Sequence, residues 1–543
     1  MKGSNPYNKN QEIELVIDGM TDEGHGVGHK DGVAIFVPGT VVGETVLAHI
    51  IKVEKRYCIA KAISILVPSE NRVVPRCPVY SACGGCTMQH MSYDEQLRRK
   101  RQIVADALER IGGLSGIEVL PVIGMDDPWR YRNKGSFPFG KTEKGTVFGF
   151  YANRSHRLVG LSDCPIQSEK ILRAVKAVAE WANENRIPVY DEITGKGILR
   201  ACMVRTSSDE KTMAVVVTKG SIPNVDQLLS KASFLDSIYH NRNDRNTNVL
   251  FGEQFRLLYG QPELKETLLG TDYMVSPESF LQVNHAQTQK LYQIALGYLN
   301  PKSDETIVDL YCGIGTISLQ IAKHAKRVIS VECVPKAIEN ARKNALMGGY
   351  DNTEFICGAS EETVSNLLEK EGRIDAIVLD PPRKGCESQV IDAIVHSSIP
   401  RIIYISCNPS TLARDLKAFT AGAYFVSAVQ PVDMFPQTAH VETVVLLSKG
   451  NISSQNVRVE FSLEDMDMSR FQQGATYEQI QDWVKEKYGF HVTHLNIAKT
   501  KRKCGIIERQ NYNLPKSEDS RSPETPKEKE KAIIEAFRHF QMI

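Results

Sequence analysis

The stretch Arg401-Ile-Ile-Tyr-Ile-Ser-Cys-Asn-Pro-Ser-Thr-Leu-Ala-Arg414 decides the fold of this chain and contains its most informative cysteine. The apolar, β-branched run predicts a buried strand at 401–406, and Asn408-Pro409 predicts a sharp turn into a helix at 409–421. In open α/β sheets, ligands bind at the carboxyl ends of the strands, which is where Cys407 stands. A thiol there can act as a nucleophile, although an isolated buried cysteine is more often structural.

Strands and helices alternate around this stretch from about residue 271 onwards. Such alternation predicts an α/β fold with a doubly wound sheet. The predicted strands are 306–310, 327–332, 354–357, 376–380 and 401–406, followed by 424–429 and 441–447.

Two loops at the predicted edge of this sheet suit a nucleoside ligand. Asp309-Leu-Tyr-Cys-Gly-Ile-Gly-Thr316 follows the first strand, and Glu332 ends the second strand about 20 residues later, where an acid can hold ribose hydroxyls. A dinucleotide fingerprint would need a third glycine where Ser318 stands, so S-adenosylmethionine is the better candidate. The second loop, Leu379-Asp-Pro-Pro-Arg-Lys-Gly385, is stiffened by its prolines.

The N-terminal region has a different pattern. Residues 11–67 contain short apolar runs separated by glycines, which predict a small closed β-barrel.

Four cysteines follow the predicted barrel in an unusual spacing. Cys77, Cys83 and Cys86 can hold three corners of a cluster, because Gly84-Gly85 lets the chain turn, and Cys164 can hold the fourth. The spacing favours an iron-sulfur cluster over zinc, since structural zinc sites more often show two close pairs. Unrelated free thiols are the third interpretation.

Basic residues occur in two predicted elements. The helix at 93–111 contains the run Arg98-Arg-Lys-Arg101, which predicts a solvated face. The segment Trp129-Arg-Tyr-Arg-Asn-Lys-Gly-Ser-Phe-Pro-Phe139 predicts a strand with aromatic residues on one face and Arg130, Arg132 and Lys134 on the other. Such a strand could present cations to phosphates, or it could be an exposed strand without a partner.

Length and composition limit the function classes. A chain of 543 residues is long enough for several domains, and its net charge of +1 confines any nucleic-acid surface to a local region. The N-terminus shows no signal peptide, and no apolar run approaches the roughly 20 residues of a membrane span, so a cytoplasmic protein is expected. In that compartment twelve cysteines favour metal or catalytic roles over disulfides.

Several motifs in one order resemble those of the RNA uracil-5-methyltransferase family, and are similar above all to its 23S ribosomal RNA branch. The segment Met20-Thr-Asp-Glu-Gly-His-Gly-Val-Gly28 also resembles a TRAM domain, an RNA-binding barrel. The family motifs are the two edge loops, Ser406-Cys-Asn-Pro409, His440-Val-Glu-Thr443 and Ser279-Phe-Leu-Gln-Val-Asn284.

The resemblance implies specific roles. Cys407 would be the nucleophile and Glu442 the base, and the expected partner is RNA, 23S ribosomal RNA first and transfer RNA as the alternative. The protein is expected to be a monomer. S-adenosylmethionine would be bound by Gln282, Tyr311, Glu332 and Asp380, and a [4Fe-4S] cluster by Cys77, Cys83, Cys86 and Cys164.

Four domains are expected: a TRAM-like barrel at 1–70, a middle domain for the cluster and RNA at 71–270, a Rossmann-like S-adenosylmethionine-dependent methyltransferase domain at 271–450, and a helical extension at 451–543. In this extension the sequence predicts helices at 477–488 and 492–503, a linker at 515–531 and a last helix at 528–540. It could be a helix-turn-helix-like nucleic-acid accessory or a plain helical appendage.

Two other function classes remain open. An amino-methylating nucleic-acid enzyme would want an aromatic residue after the two prolines, where Arg383 stands. An RNA-binding assembly protein could keep this fold without catalysis.

Overall fold

The run at 401–406 forms a buried strand because both of its faces are covered. In the computed structural model, which describes residues 5–143, 145–153, 155–247, 249–450, 477–503 and 526–539, alternate residues of this strand enter two separate cores. Ile403 and Ile405 belong to one core, and Ile402 and Tyr404 to the other. A strand covered on both faces needs no polar alternation, which explains its continuous apolar sequence.

A six-stranded sheet at the N-terminus curls around its own core. Asp18, just after its first strand, donates its backbone N–H to the carbonyl of Val27 at 2.9 Å, which joins β1 to β3 across the curl. Ile17, Ile35 and Ile50 are fully buried inside. The strands are β1 (Glu12–Val16), β2 (Gly19–Met20), β3 (Gly26–Lys30), β4 (Val33–Val37), β5 (Thr45–Val53) and β6 (Tyr57–Val67), in the order β1-β5-β6-β4-β3-β2.

A second, seven-stranded sheet follows and is covered by helices. Helix α1 (Tyr93–Arg110) precedes this sheet and packs in a different core, and the covering helices are α2 (Glu169–Glu184) and α3 (Val225–Lys231). The strands are β7 (Lys134–Thr142), β8 (Gly145–Tyr151), β9 (Leu158–Gly160), β10 (Leu199–Thr206), β11 (Thr212–Thr218), β12 (Ser237–Arg242) and β13 (Gln254–Gly260), in the order β13-β12-β11-β10-β7-β8-β9. The hairpin of β14 (Leu264–Leu268) and β15 (Thr271–Val275) leads to the third sheet.

The third sheet confirms the predicted doubly wound α/β fold. Its order is β18-β17-β16-β19-β20-β22-β21, with five parallel strands and an antiparallel pair at one edge. The strands are β16 (Thr306–Leu310), β17 (Arg327–Glu332), β18 (Thr353–Cys357), β19 (Ala376–Leu379), β20 (Arg401–Ser406), β21 (Tyr424–Val432) and β22 (Glu442–Lys449). The helices are α4 (His285–Leu299), α5 (Thr316–Ala322), α6 (Pro335–Gly348), α7 (Ser360–Lys370), α8 (Ser388–His396) and α9 (Pro409–Ala421).

The chain divides into two compact units, residues 1–451 and 452–543. The finer division at residues 70, 270 and 450 stays a prediction. In the second unit α10 (Tyr477–Tyr488), α11 (His494–Lys503) and α12 (Lys527–His539) share a small core that includes Ile480, Ile497 and Phe537. Most of the predicted linker, at 515–525, and the end of the last predicted helix, at 540, lie outside the described residues.

None of the helices within the described ranges is long and apolar enough to cross a membrane.

Candidate active site

The sheet register brings the predicted nucleophile and base to one edge. β22 runs antiparallel to β20, and Ser406 lies opposite Thr443. The start of β22 therefore lies at the edge where the parallel strands end, so Glu442 and Cys407 are neighbours there. Asp380, directly after β19, belongs to the same edge because β19 pairs in parallel with β20.

Cys407 stands half-buried between the end of β20 and the start of α9. Asn408 caps this helix, since its Oδ1 accepts the backbone N–H groups of Ser410 at 3.0 Å and Thr411 at 3.4 Å. Burial and the neighbouring Glu442 together raise the pKa of the Cys407 thiol to about 11, and Arg383 acts in the opposite direction. The capped turn therefore holds the Cys407 thiol in place, but a nearby group must stabilise its thiolate form.

Glu442 is buried at the start of β22. Burial raises its pKa to about 8, with Asp380 acting in the same direction and Arg383 opposing. A carboxyl group with a pKa near neutrality can both accept and release a proton, which suits a general base.

The segment before Glu442, residues 433–441, is anchored by α1. Lys100 is fully buried and pairs with Asp433, whose other carboxylate oxygen accepts a hydrogen bond from the Tyr93 hydroxyl at 2.8 Å. Gln96 and Gln437 exchange two hydrogen bonds of 3.0 Å. Breaking a buried ion pair of this kind costs about 3–5 kcal/mol, so the segment that leads to the base is firmly held.

Lys100 corrects the interpretation of the basic run at 98–101. The sequence predicts a solvated face, and Arg98 does remain exposed, but Lys100 points into the interior toward Asp433. Asp433 lies more than 300 positions from Lys100, and nothing in the sequence around Lys100 indicates this partner. The contact was therefore not predicted from the sequence.

Two acidic side chains, Glu332 and Asp309, accept hydrogen bonds from the glycine-rich loop after β16 and from the helix that follows it. Glu332 accepts a hydrogen bond from the backbone N–H of Gly313 at 3.1 Å. Gly315 has a φ of 81°, in the left-handed region that favours glycine, where it begins α5. Burial raises the pKa of Asp309 to about 7, and Ser318 donates a hydrogen bond to this carboxyl group. Asp309 was not among the predicted ligand residues, although it opens the predicted loop motif.

Tyr311 lies within this loop, and Gln282 lies in a separate segment before α4. Tyr311 has a φ of 69°, which is uncommon for a residue with a side chain and is typical of functional sites. Gln282 is buried in the segment 276–284, and its backbone carbonyl accepts a hydrogen bond from Asn133 at 3.3 Å. Two serines of the same segment, Ser276 and Ser279, accept hydrogen bonds from Asn340 of α6.

The four predicted cluster cysteines, Cys77, Cys83, Cys86 and Cys164, line one small cavity and are free thiols. Burial, with a smaller contribution from the other cysteines, raises the pKa of Cys86 to about 12 and of Cys164 to about 11. A side chain at Gly84 would meet the carbonyl of Tyr151 at 2.9 Å, so glycine is needed there. Within the described ranges, no three His, Cys, Asp or Glu side chains are arranged to hold a metal ion.

The predicted strand at 129–139 is shorter than expected. β7 begins at Lys134, and Arg130 has a φ of 51°, so the alternation of faces does not extend to it. The Arg130 guanidinium donates hydrogen bonds to Asp163 at 2.8 and 2.9 Å and to the carbonyl of Cys164 at 2.8 Å. The predicted strand face shared by Arg130, Arg132 and Lys134 therefore does not form at Arg130, which instead holds the loop that presents Cys164.

Comparisons with known proteins agree with this geometry. The family model "tRNA (Uracil-5-)-methyltransferase" matches residues 256–450, and the TRAM domain model matches residues 6–63. An uncharacterized RNA methyltransferase of Clostridium tetani is 45% identical over 455 residues, which are 82% of this chain and 98% of that protein. An uncharacterized RNA methyltransferase of Halalkalibacterium halodurans is 42% identical over 82% of this chain and 99% of that protein.

A solved structure also covers most of the chain. The crystal structure of Pyrococcus abyssi tRNA (uracil-54, C5)-methyltransferase in complex with S-adenosyl-L-homocysteine matches with a TM-score of 0.65 and 28% identity, over 80% of this chain and 100% of that one. The fold and the site define an S-adenosylmethionine-dependent methyltransferase that acts on RNA. Within that class, the chain belongs to the RNA uracil-5-methyltransferase family and has an N-terminal TRAM domain.

Proposed function

We propose that this enzyme methylates C5 of a specific uridine in 23S ribosomal RNA through a covalent bond between Cys407 and C6 of the base. The observation that carries the proposal is the meeting of Cys407, Glu442 and Asp380 at one edge of the sheet. C5 of uracil is only weakly nucleophilic. Its methylation therefore needs a nucleophile that activates the ring and a base that removes the C5 proton.

The chemistry assigns one step to each side chain. The Cys407 thiolate adds to C6, which breaks the C5–C6 double bond and leaves an enolate with electron density at C5. S-adenosylmethionine, when bound, would supply the electrophilic methyl group that C5 takes, and the electron pair of the broken S–CH3 bond would stay on sulfur in the leaving S-adenosylhomocysteine. C5 then holds both the methyl group and its original hydrogen. Glu442 removes that proton, the double bond re-forms, and the Cys407 thiolate leaves.

The donor site is proposed at the loop after β16. Glu332 would hold the ribose hydroxyls, since its carboxylate is fixed at the end of β17 by the N–H of Gly313. Tyr311, Asp380 and Gln282 would complete the site. The strained backbone of Tyr311 and the buried carboxyl group of Asp380, whose pKa burial raises to about 7, support a site built for a ligand.

The RNA surface is proposed next to this edge, where Arg132 and Lys134 lie. Burial, together with the neighbouring cations Arg205 and Arg132, lowers the pKa of Lys134 to about 7. The buried Nε of Arg132 has no hydrogen-bond partner. A phosphate would satisfy these groups, and the TRAM domain would hold flanking nucleotides.

The RNA substrate and the free thiols support a cytoplasmic enzyme, which we propose to be a monomer.

We also propose a [4Fe-4S] cluster on Cys77, Cys83, Cys86 and Cys164. The donor set supports it, because the four thiols line one cavity and, as thiolates, would repel one another unless a cationic centre lay between them. The cluster would order the loops of the middle region, and the chemistry assigned to Cys407 and Glu442 needs no redox step.

Anaerobically purified protein should be brown and contain about four iron and four sulfide ions per chain. Cys83→Ala should lose iron and thermal stability, because one corner of the cluster is removed, while the exposed thiol variant Cys357→Ala should keep both. Metal analysis, visible absorption and thermal melting provide the measurements. Stoichiometric zinc without visible absorption would contradict the cluster.

Methyl transfer to defined RNAs tests the proposed substrate. Unmodified 23S ribosomal RNA should receive label from isotopically labelled S-adenosylmethionine, and mass mapping after nuclease digestion should find 5-methyluridine. Transfer RNA is the second candidate, because the family model and the Pyrococcus abyssi enzyme both bear it in their names. Label in transfer RNA alone would select that candidate, and label on exocyclic amino groups would refute both.

A further inference from the structure

The loop that follows β19 is fixed to the first turn of α9, the helix that begins just after the nucleophile. The backbone carbonyl of Arg383 accepts hydrogen bonds from Nδ2 of Asn408 at 3.3 Å and from Oγ1 of Thr411 at 3.2 Å. These two residues are three positions apart and share one face of the helix. The backbone of Arg383 is thus bound to the residue adjacent to Cys407.

The next turn of α9 holds the rest of the same loop. Arg414 donates hydrogen bonds to the carbonyls of Lys384 at 2.9 Å and Cys386 at 3.3 Å. Asp415, which is fully buried, accepts the backbone N–H of Cys386 at 2.8 Å and the hydroxyl of Tyr404 at 2.6 Å. The position of the loop therefore depends on backbone atoms and on α9, and the side chain of Arg383 takes no part in it.

That side chain points toward the reactive groups. Nη2 of Arg383 lies 3.4 Å from Nε2 of His440, two residues before Glu442. Among the charged groups that act on the Cys407 thiol, Glu442 and Asp380 disfavour the thiolate, and Arg383 favours it. Arg383 also favours the charged form of Glu442. One cation therefore faces a nucleophile and a base that repel each other as anions.

We infer that Arg383 is the cation that stabilises the Cys407 thiolate and holds it next to Glu442 until the sulfur adds to the base. The thiol releases its proton to solvent, and Arg383 keeps its own protons throughout. His440 positions the guanidinium through the Nη2 contact. The inference rests on the proposed role of Cys407. It gives a function to Arg383, which stands where an amino-methylating enzyme would have an aromatic residue.

The neighbouring lysine provides a matched control. Lys384 is an exposed cation on the same loop, but it pairs with Glu387 and is not among the main charges that act on Cys407. Lys384→Gln thus removes the same charge from the same loop without touching the proposed contact.

The test is the pH dependence of Cys407 alkylation in the full-length protein without RNA. Iodoacetamide labels the thiolate, and peptide mass spectrometry follows Cys407 separately from the other cysteines. Arg383→Gln should raise the pH of half-maximal labelling by about one unit, which is about tenfold slower labelling at neutral pH. Arg383→Lys should retain most of the wild-type profile, and Lys384→Gln all of it.

His440→Ala keeps the interpretation testable if Arg383→Gln folds poorly, since it removes the Nη2 contact and leaves the guanidinium in place. It should shift the profile in the same direction by a smaller amount. Unshifted profiles in Arg383→Gln, or in His440→Ala if the first variant does not fold, would overturn the inference. Because no RNA is present, this outcome is independent of whether the enzyme methylates ribosomal RNA, transfer RNA or neither.

Discussion

Replacing Cys407 by alanine should abolish methyl transfer to RNA, with a loss of at least about 10⁴-fold, because without addition at C6 the uracil ring has no electron density at C5 with which to take the methyl group. The side chain is half-buried at the end of β20, and the turn that follows it is held by Asn408, so the smaller residue should leave the fold intact. Binding of S-adenosylmethionine, measured by calorimetry, should stay near the wild-type value.

The control for this variant is a cysteine from another core. Cys58 is buried in the N-terminal barrel, and Cys58→Ala should remain active once its folding has been checked by circular dichroism. Methyl transfer by the Cys407→Ala variant at more than a trace of the wild-type rate would exclude the covalent route and return the amino-methylating or binding-only interpretations.

Replacing Glu442 by glutamine should trap the reaction after methyl transfer. Glutamine keeps the size and hydrogen-bonding reach of the side chain but cannot accept the C5 proton, so Cys407 cannot be expelled. The variant should accumulate a methylated protein–RNA complex that survives denaturation, visible as a shifted band on a denaturing gel. Turnover should fall by about 10²–10⁴-fold, the usual contribution of a general base.

The pH dependence of the wild-type enzyme should reflect the same group. Burial raises the pKa of Glu442 to about 8, and a base acts only in its deprotonated form, so release of the adduct should become faster as the pH rises through that value. The double variant with Cys407→Ala should form no adduct. Normal turnover by Glu442→Gln, or an adduct without Cys407, would show that the roles are assigned wrongly.

Local sequence was sufficient for the elements of the third sheet. The predicted strand at 401–406 and the helix at 409–421 match β20 and α9, because a continuous β-branched run marks a strand buried on both faces and Pro409 fixes the start of the helix. The alternation of strands and helices also predicted the doubly wound topology, and the family motifs indicated the chemistry.

Contacts between distant segments were not predictable in the same way. Arg130 and Lys100 were both expected to face solvent or phosphate, and each instead pairs with an acid on another segment, Asp163 and Asp433. Other cations stand close to each of them in the sequence, at 98–101 and at 132–134, and such basic runs are also typical of a solvated surface. In both cases the acidic partner lies too far along the chain to be identified from the local sequence, and for Lys100 that partner also makes burial of the charge possible.

By itself, the sequence determined the strands, the helices, the order of the motifs and the residue types that the reaction needs, because these depend on short-range periodicity and on side-chain chemistry. Only the tertiary structure decided that Glu442 stands beside Cys407, and that Arg383 faces both. The reason is the antiparallel pairing of β22 with β20, which brings the start of one strand to the end of another across the 34 residues that lie between Cys407 and Glu442. Proximity set by strand pairing leaves no periodic signal in the sequence, so the site could be assembled only in the folded chain.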